Sequence, residues 1–270
     1  MDGAVTGARA PAVVAAVHAT AVIDPGTHLG ADVSIGPYCV IGPGVTIGAC
    51  TRLGPHVVIE RDTVLGEQCA VHAGAVLGGD PQDLKYAGEY SQLVVGARTV
   101  IREFVTLNRG TAARGVTRIG DDCLLMAYAH VAHDGTIGNH VVIANSVAMG
   151  GHVTIEDWAI IGGLTAIHQF VRVGAHSMVS GATALRKDVP PYVKAAGNPG
   201  RLYGLNSVGL QRRGFPDPVR AELKKVYRMF FQSDMNVSQA LAAARSAIEP
   251  FPEVLHFLEF VAASERGITV

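Results

Sequence analysis

The stretch "LLMAYAHVAHDGTIGN", residues 124 to 139, sets His130 and His133 three apart, with Asp134 directly after the second. An imidazole titrates near neutrality, so a histidine within reach of a hydroxyl can take its proton as the oxygen attacks an acyl carbon. A carboxylate at the other ring nitrogen fixes the tautomer and stabilises the imidazolium, a task open to Asp134. The same residue types suit a zinc site built from neutral imidazoles, and two polar residues decorating a repeat need do no chemistry at all. Which reading applies depends on the elements that position them.

Those elements follow a period of six. An aliphatic residue recurs from Val17 through Ile23, Leu29, Ile35, Ile41 and Ile47 to Leu77, again at Val95, Ile101 and Leu107, and from Ile119 to Leu185. A small or branched residue follows four places later, as at Val33, Cys39, Val45, Thr51, Cys69 and Cys123. Six matches neither the helical period nor strand alternation. It fits a short strand plus a tight turn, with three units closing a triangular coil of eighteen residues. The aliphatic residue fills the interior, the small one lets the corner close, and glycine is expected to supply the turn dihedrals. Only a stack of such coils, paired in parallel, has a continuous core.

This pattern predicts a mostly β chain: a parallel β-helix over residues 17–200, preceded by a loose extension over 1–16. Insertions at 79–92 and 109–118 interrupt the period; a solenoid tends to place such loops on one face, often the binding one. Past residue 200 the spacing becomes helical. "PDPVRAELKKVYRMFFQS" reads as a helix capped by Asp217 with Pro218 in its first turn, and "NVSQALAAARSAIEP" and "FPEVLHFLEFVAASERG" as two more. Residues 201–270 therefore form a helical domain over the open end of the coil, where a bare edge would invite aggregation.

Stacking converts spacing into geometry, because residues eighteen apart lie roughly 4.8 Å from each other in adjacent layers. Eighteen beyond His133 is Gly151, eighteen beyond Asp134 is His152, and His168 comes nearly two coils after His133. The histidines thus gather in one column. Val131 takes the inward slot, so His130 projects outward and His133 stands at the corner, facing solvent or a neighbouring subunit. Gly151 permits close approach of a backbone N–H to a negative oxygen.

Composition narrows the classes. The chain has 270 residues, 17% of them charged, 32 glycines and a net charge of -1, which argues against disorder and against a general affinity for nucleic acid. It contains no apolar run long enough for a membrane span. The four cysteines show no CxxC pair, consistent with buried thiols in a reducing compartment. Between 201 and 232 seven basic residues (Arg201, Arg212, Arg213, Arg220, Lys224, Lys225 and Arg228) face two acidic ones, Asp217 and Glu222. Such a patch can steer an acidic partner.

The hexads resemble the hexapeptide-repeat, left-handed parallel β-helix superfamily, and the handedness is taken from that resemblance. With "GGDPQDLKYAGE", "LLMAYAHVAHD", "IIGGLTAIHQF", "DVPPYVKAAGN" and "GLQRRGF" in this order, the chain more narrowly resembles the UDP-N-acetylglucosamine O-acyltransferase family of lipid A synthesis. The resemblance implies transfer of a 3-hydroxyacyl group from acyl carrier protein to the sugar 3-hydroxyl, by a cytoplasmic homotrimer with no cofactor and no metal. It implies His133 as general base, Asp134 as its orienter and Gly151 as oxyanion donor. Asp83, Lys85, His130, His152, His168 and Gln169 would line the substrate site, and Asn206, Arg212 and Arg213 would hold the nucleotide, reached from a neighbouring subunit. Gly181 would leave room for a long acyl chain. Asn108, where the family often has histidine, and "GNPGRLYG" depart from its pattern. The related N-acyltransferase, a zinc-dependent hydratase and a silent scaffold on the same fold are the alternatives.

Overall fold

A computed structural model describes residues 17–270, so the extension expected over 1–16 lies outside the described residues. Each hexad forms a strand of mostly two residues, such as His130–Val131, Thr136–Ile137 and Val142–Ile143. Strands three units apart along the hexads pair in parallel; His130 lies opposite Ala148 and Val131 opposite Met149, eighteen residues apart. Three sheets of nine, eight and ten strands result, the faces of a triangular prism, and the fold is a left-handed parallel β-helix. His130–Val131 lies on the first face, Thr136–Ile137 on the second and Val142–Ile143 on the third.

The aliphatic hexad positions fill the prism: Ile35, Ile41, Ile47, Ile59 and Leu65 are at most 1% exposed. Burying each such side chain contributes about 1.5–3 kcal/mol before entropy is counted. Cys39, Cys69 and Cys123 take the small inward slot, whereas Cys50 sits exposed at a turn. Burial pushes the Cys39 and Cys69 thiols up, and that of Cys123 to about 11, so these three are packing groups rather than nucleophiles.

Glycine turns out to serve a different need from the one expected. The left-handed turn position is held by Gly44 (φ 69°) and Gly74 (φ 71°), but mostly by residues such as Tyr38, His56, Asp134, His152, Trp158 and Phe170. A left-handed backbone costs roughly 1–2 kcal/mol in an L-residue. Stacking of the outward rings on successive coils, Tyr38 on His56 at 5.1 Å and His152 on Phe170 at 4.4 Å, returns about 0.5–1.5 kcal/mol per pair. The glycine after each aliphatic residue is there for space instead: a Cβ at Gly42 would lie 1.8 Å from the Glu60 carbonyl oxygen one coil away. Gly42→Ala is accordingly expected to destabilise the chain by about 1–3 kcal/mol or more, read as a lower urea midpoint. An unchanged midpoint would contradict the stacking distance.

Toward the carboxyl end Val193–Ala196 extends the third face, and Arg201–Leu205 pairs with it antiparallel. Four helices follow: α1 (Ser207–Arg212), α2 (Asp217–Phe231), α3 (Val237–Ala247) and α4 (Pro252–Ala262). The short α1 carries too few residues for a periodic signal in the sequence. Pro216, not Asp217, is the N-cap of α2, and the Asp217 carboxylate pairs with Arg220 instead. The helices dock on the prism through Arg172, which lies 4.1 Å over the Phe260 ring, and through a 2.9 Å contact of His256 with Glu156.

Both insertions leave the first face and return on the second, the loops falling between Val76–Gly79 and Gln92–Val95 and between Thr106–Asn108 and Val116–Ile119. They share the corner that carries His133. No helix of the described residues is long and apolar enough to cross a membrane.

Candidate active site

At that corner the chain passes from His130–Val131 to Thr136–Ile137, and Asp134 adopts the left-handed turn conformation (φ 57°). The turn aims its carboxylate back at its own neighbour: Asp134 Oδ2 accepts from His133 Nδ1 at 2.9 Å. Thr111, from the second insertion, donates its hydroxyl to Oδ2 at 2.7 Å and its backbone N–H to Oδ1 at 3.0 Å. Asp134 is fully buried. Burial pushes its carboxyl up, but the bonds from His133 and Thr111 more than offset this and hold it below the usual carboxylate value. An ionised carboxylate only accepts, so the proton of this hydrogen bond resides on His133 Nδ1, and in the neutral ring Nε2 carries the lone pair.

His133 was expected at an open corner; its residue is only 8% exposed, because the insertions cover the turn. Its remaining exposure opens into a groove of about 680 Å³. Ala148, Ala166 and Ala184, stacked on the first face, form an apolar floor, with His130, Gly151, His168 and Gln169 along the walls. Gln82, from the first insertion, also lines the groove.

Gly151 stands one coil from His133, and a Cβ there would lie 2.4 Å from Cε1 and 2.6 Å from Nε2 of the ring. Only glycine leaves the imidazole its place. The ladder makes no use of the N–H at this turn position, since Pro37, Pro43 and Pro55 occupy it in other coils. Where that N–H does find a partner, the partner is an outlying oxygen: Ala97 and Asn139 donate to carboxylates of Asp121 and Asp157 at 2.8 Å, and Ala175 to Glu156 at 2.9 Å. The repeat therefore presents a ready-made donor to an anionic oxygen at Gly151, beside the free nitrogen of His133.

The other histidines divide. His130 Nδ1 is bonded to Thr106 Oγ1 at 2.7 Å, and burial, then the nearby His133, lowers its pKa and favours the neutral ring. His152 reaches Asp134 from the far side, Nε2 to Oδ2 3.6 Å, and faces an adjoining cleft with Arg114, Phe170 and Arg172. Burial lowers its pKa, opposed by Asp134. His168 contacts Arg266 at 3.3 Å. His133, Asp134 and His152 offer three donor atoms within 4.8 Å, the one such set among the described residues. A cation there would have to displace the proton on Nδ1 and the Thr111 hydroxyl, so this set is better satisfied as a hydrogen-bonded dyad.

Asp83 and Lys85 lie in the first insertion, where the Asp83 carboxylate accepts the Lys85 N–H at 3.0 Å; Lys85 is exposed and Asp83 partly so. Asn108 is buried and donates to the Asp80 carbonyl at 2.6 Å, tying the second insertion to the first. Gly181 stands at a different corner, beside Gly163, and does not line the groove. Asn206, Arg212 and Arg213 are also remote from His133 within one chain. Asn206 caps α1 and donates to the His176 carbonyl at 2.9 Å. Arg212 ends α1, exposed; Arg213 lies 5.1 Å over Trp158 and 3.2 Å from His176, whose pKa is pushed down to about 4 by burial and by this guanidinium.

The chain is similar to known proteins along nearly its whole length. Residues 188–269 match the model of UDP N-acetylglucosamine O-acyltransferase domain 2, and residues 15–49 and 117–151 that of the bacterial transferase hexapeptide. The acyl-[acyl-carrier-protein]–UDP-N-acetylglucosamine O-acyltransferase of Paracidovorax citrulli is 51% identical over 94% of this chain and 99% of its own. The enzyme of that name from Ectopseudomonas mendocina is 46% identical over 92% and 97%. The structure of LpxA from Acinetobacter baumannii superposes with a TM-score of 0.92 at 42% identity, covering 94% of this chain and 99% of that one. With this identity along nearly its whole length, the chain belongs to the UDP-N-acetylglucosamine O-acyltransferase family.

Proposed function

We propose that the protein transfers a 3-hydroxyacyl group from acyl carrier protein to the 3-hydroxyl of UDP-N-acetylglucosamine, the first step of lipid A synthesis, with His133 as general base. One observation carries the reading: an imidazole with its Nδ1 tied to a buried carboxylate stands against Gly151 in an apolar-floored groove. His133 Nε2 takes the proton of the sugar hydroxyl as its oxygen bonds to the thioester carbon. The negative oxygen of the tetrahedral intermediate accepts the Gly151 N–H. Collapse expels the carrier thiolate, which receives the proton from the imidazolium.

The rest of the chain fits this chemistry. His130, His168 and Gln169 in the groove contact the sugar nucleotide around the base, Asp83 and Lys85 reach it from the first insertion, and His152 borders it from the adjoining cleft. Asn206, Arg212 and Arg213, on another corner of the prism, serve the groove of a neighbouring subunit in a homotrimer. The groove continues past Arg186 into a cleft of about 300 Å³ with Lys187 and Arg201, a basic mouth for an acidic carrier protein. Gly181, on another corner, likewise serves a neighbouring subunit's groove; a Cβ there would meet only the Gly163 backbone, so the glycine leaves space for a long acyl chain. The buried free thiols suit the reducing cytoplasm.

Incubating UDP-N-acetylglucosamine with a panel of acyl carrier protein thioesters is expected to yield a 3-O-acyl product by mass spectrometry, at a rate unchanged after dialysis against a chelator. Absence of product with every donor would leave a silent scaffold. Activity lost with the metal and restored by zinc would return the cluster at Asp134 to a metal role.

A further inference from the structure

The loop that covers the dyad is itself held rigidly. Arg109, 2% exposed, donates to the Gly78 carbonyl, to the Asp80 carboxylate and, at 3.0 Å, to the Tyr86 hydroxyl, so the second insertion is fastened to the first. Two residues on, the Thr111 carbonyl accepts the Gly115 N–H at 2.6 Å and closes a tight turn. The Ala113 N–H donates to Thr111 Oγ1 at 3.2 Å. That bond occupies a lone pair of the hydroxyl and leaves its hydrogen for Asp134 Oδ2, 2.7 Å away.

Asp134 Oδ2 has two imidazoles within reach, His133 Nδ1 at 2.9 Å and His152 Nε2 at 3.6 Å. A carboxylate free to rotate would divide itself between them. Bound at Oδ1 by the amide and at Oδ2 by the hydroxyl of one residue, it cannot turn without losing both bonds. We propose that Thr111 is a positioning residue for acyl transfer, its amide and hydroxyl holding Asp134 in the orientation that keeps His133 Nε2 toward the groove. The proposal rests on His133 being the base.

Thr111→Val and the smaller Thr111→Ala remove the hydroxyl and keep the amide; Thr111→Ser restores the hydroxyl. Hydrogen bonds to charged groups are among the stronger ones, so kcat is expected to fall about 10- to 100-fold in the first two with little change in KM for UDP-N-acetylglucosamine. The serine variant should recover to within a few fold. The groups facing Asp134 are His133, His152 and Arg114, the last through the Asp134 carbonyl at 3.2 Å. Having lost a donor, the carboxylate concentrates its charge and favours a proton on the dyad, so the acid limb of kcat/KM moves to higher pH in the valine and alanine variants.

In an Asp134→Ala background Thr111→Val should cost nothing further, because its effect runs through that carboxylate. Turnover of both hydroxyl-free variants within threefold of the parent, or an undiminished loss in the Asp134→Ala background, would overturn the proposal. Full turnover by His133→Ala would instead overturn the base assignment on which it rests, whatever the threonine variants do.

Discussion

Replacing His133 with alanine is expected to lower kcat by about 10²–10⁴-fold, the range supplied by a positioned general base. The ring touches both the groove and Asp134, and it is the groove histidine backed by a carboxylate. His130 has its Nδ1 bound to Thr106, and His152 opens into the adjoining cleft. Binding of the sugar nucleotide should persist, since most of the lining side chains remain. Stability should fall modestly, because Asp134 keeps both bonds from Thr111 and loses one from the imidazole, worth about 1–3 kcal/mol when a buried group is left short of a partner. Steady-state kinetics beside a thermal melt test this. A folded variant with near-parental kcat would remove His133 from the chemistry.

The second large effect is expected from a single methyl group. In Gly151→Ala the new Cβ would lie 2.4 Å from Cε1 and 2.6 Å from Nε2 of His133, inside any tolerable contact, so the ring must leave its position. Displacement by about 1 Å costs on the order of 10²-fold, and a disturbed oxyanion donor about 10²–10³. We expect kcat to fall about 10²–10³-fold. The backbone at Gly151 is free of positive φ, so the fold itself has no reason to fail. Adding Gly151→Ala to His133→Ala should cost little more, since the atoms it strikes are gone. A large further loss would mean that the substitution acts on the amide rather than the ring, and kcat near the parental value in the single variant would show that ring and amide do not share a reaction centre.

The prism and the meeting of His133, Asp134, Gly151 and His152 at one corner were legible in the sequence because the period is strict: eighteen residues carry a side chain one layer up on the same face. The inward cysteines were legible for the same reason. What escaped lies where the period lapses. Thr111, Arg109 and Gln82 sit in insertions with no register, so nothing in their spacing announces that one holds the Asp134 carboxylate, another bolts the two loops together and the third enters the groove. The burial of His133 escaped with them, since those loops cover it. The role of glycine was misread because a period shows where a residue recurs and cannot separate a dihedral demand from a steric one. Asn206 and Arg213 stand on another corner, and a single chain's register cannot join corners.

The parallel register has an evolutionary corollary. Duplicating or deleting one complete layer in the coils ahead of the insertions would return each later residue to the side it occupied before, whereas a slip of one position would turn the hydrocarbon filling outward along everything downstream. Length in this lineage can therefore change in whole layers, or by loops extruded at a vertex, and in little else. The corner that carries His133 combines the two, Gly151 belonging to a repeated layer and Thr111 to an extruded loop.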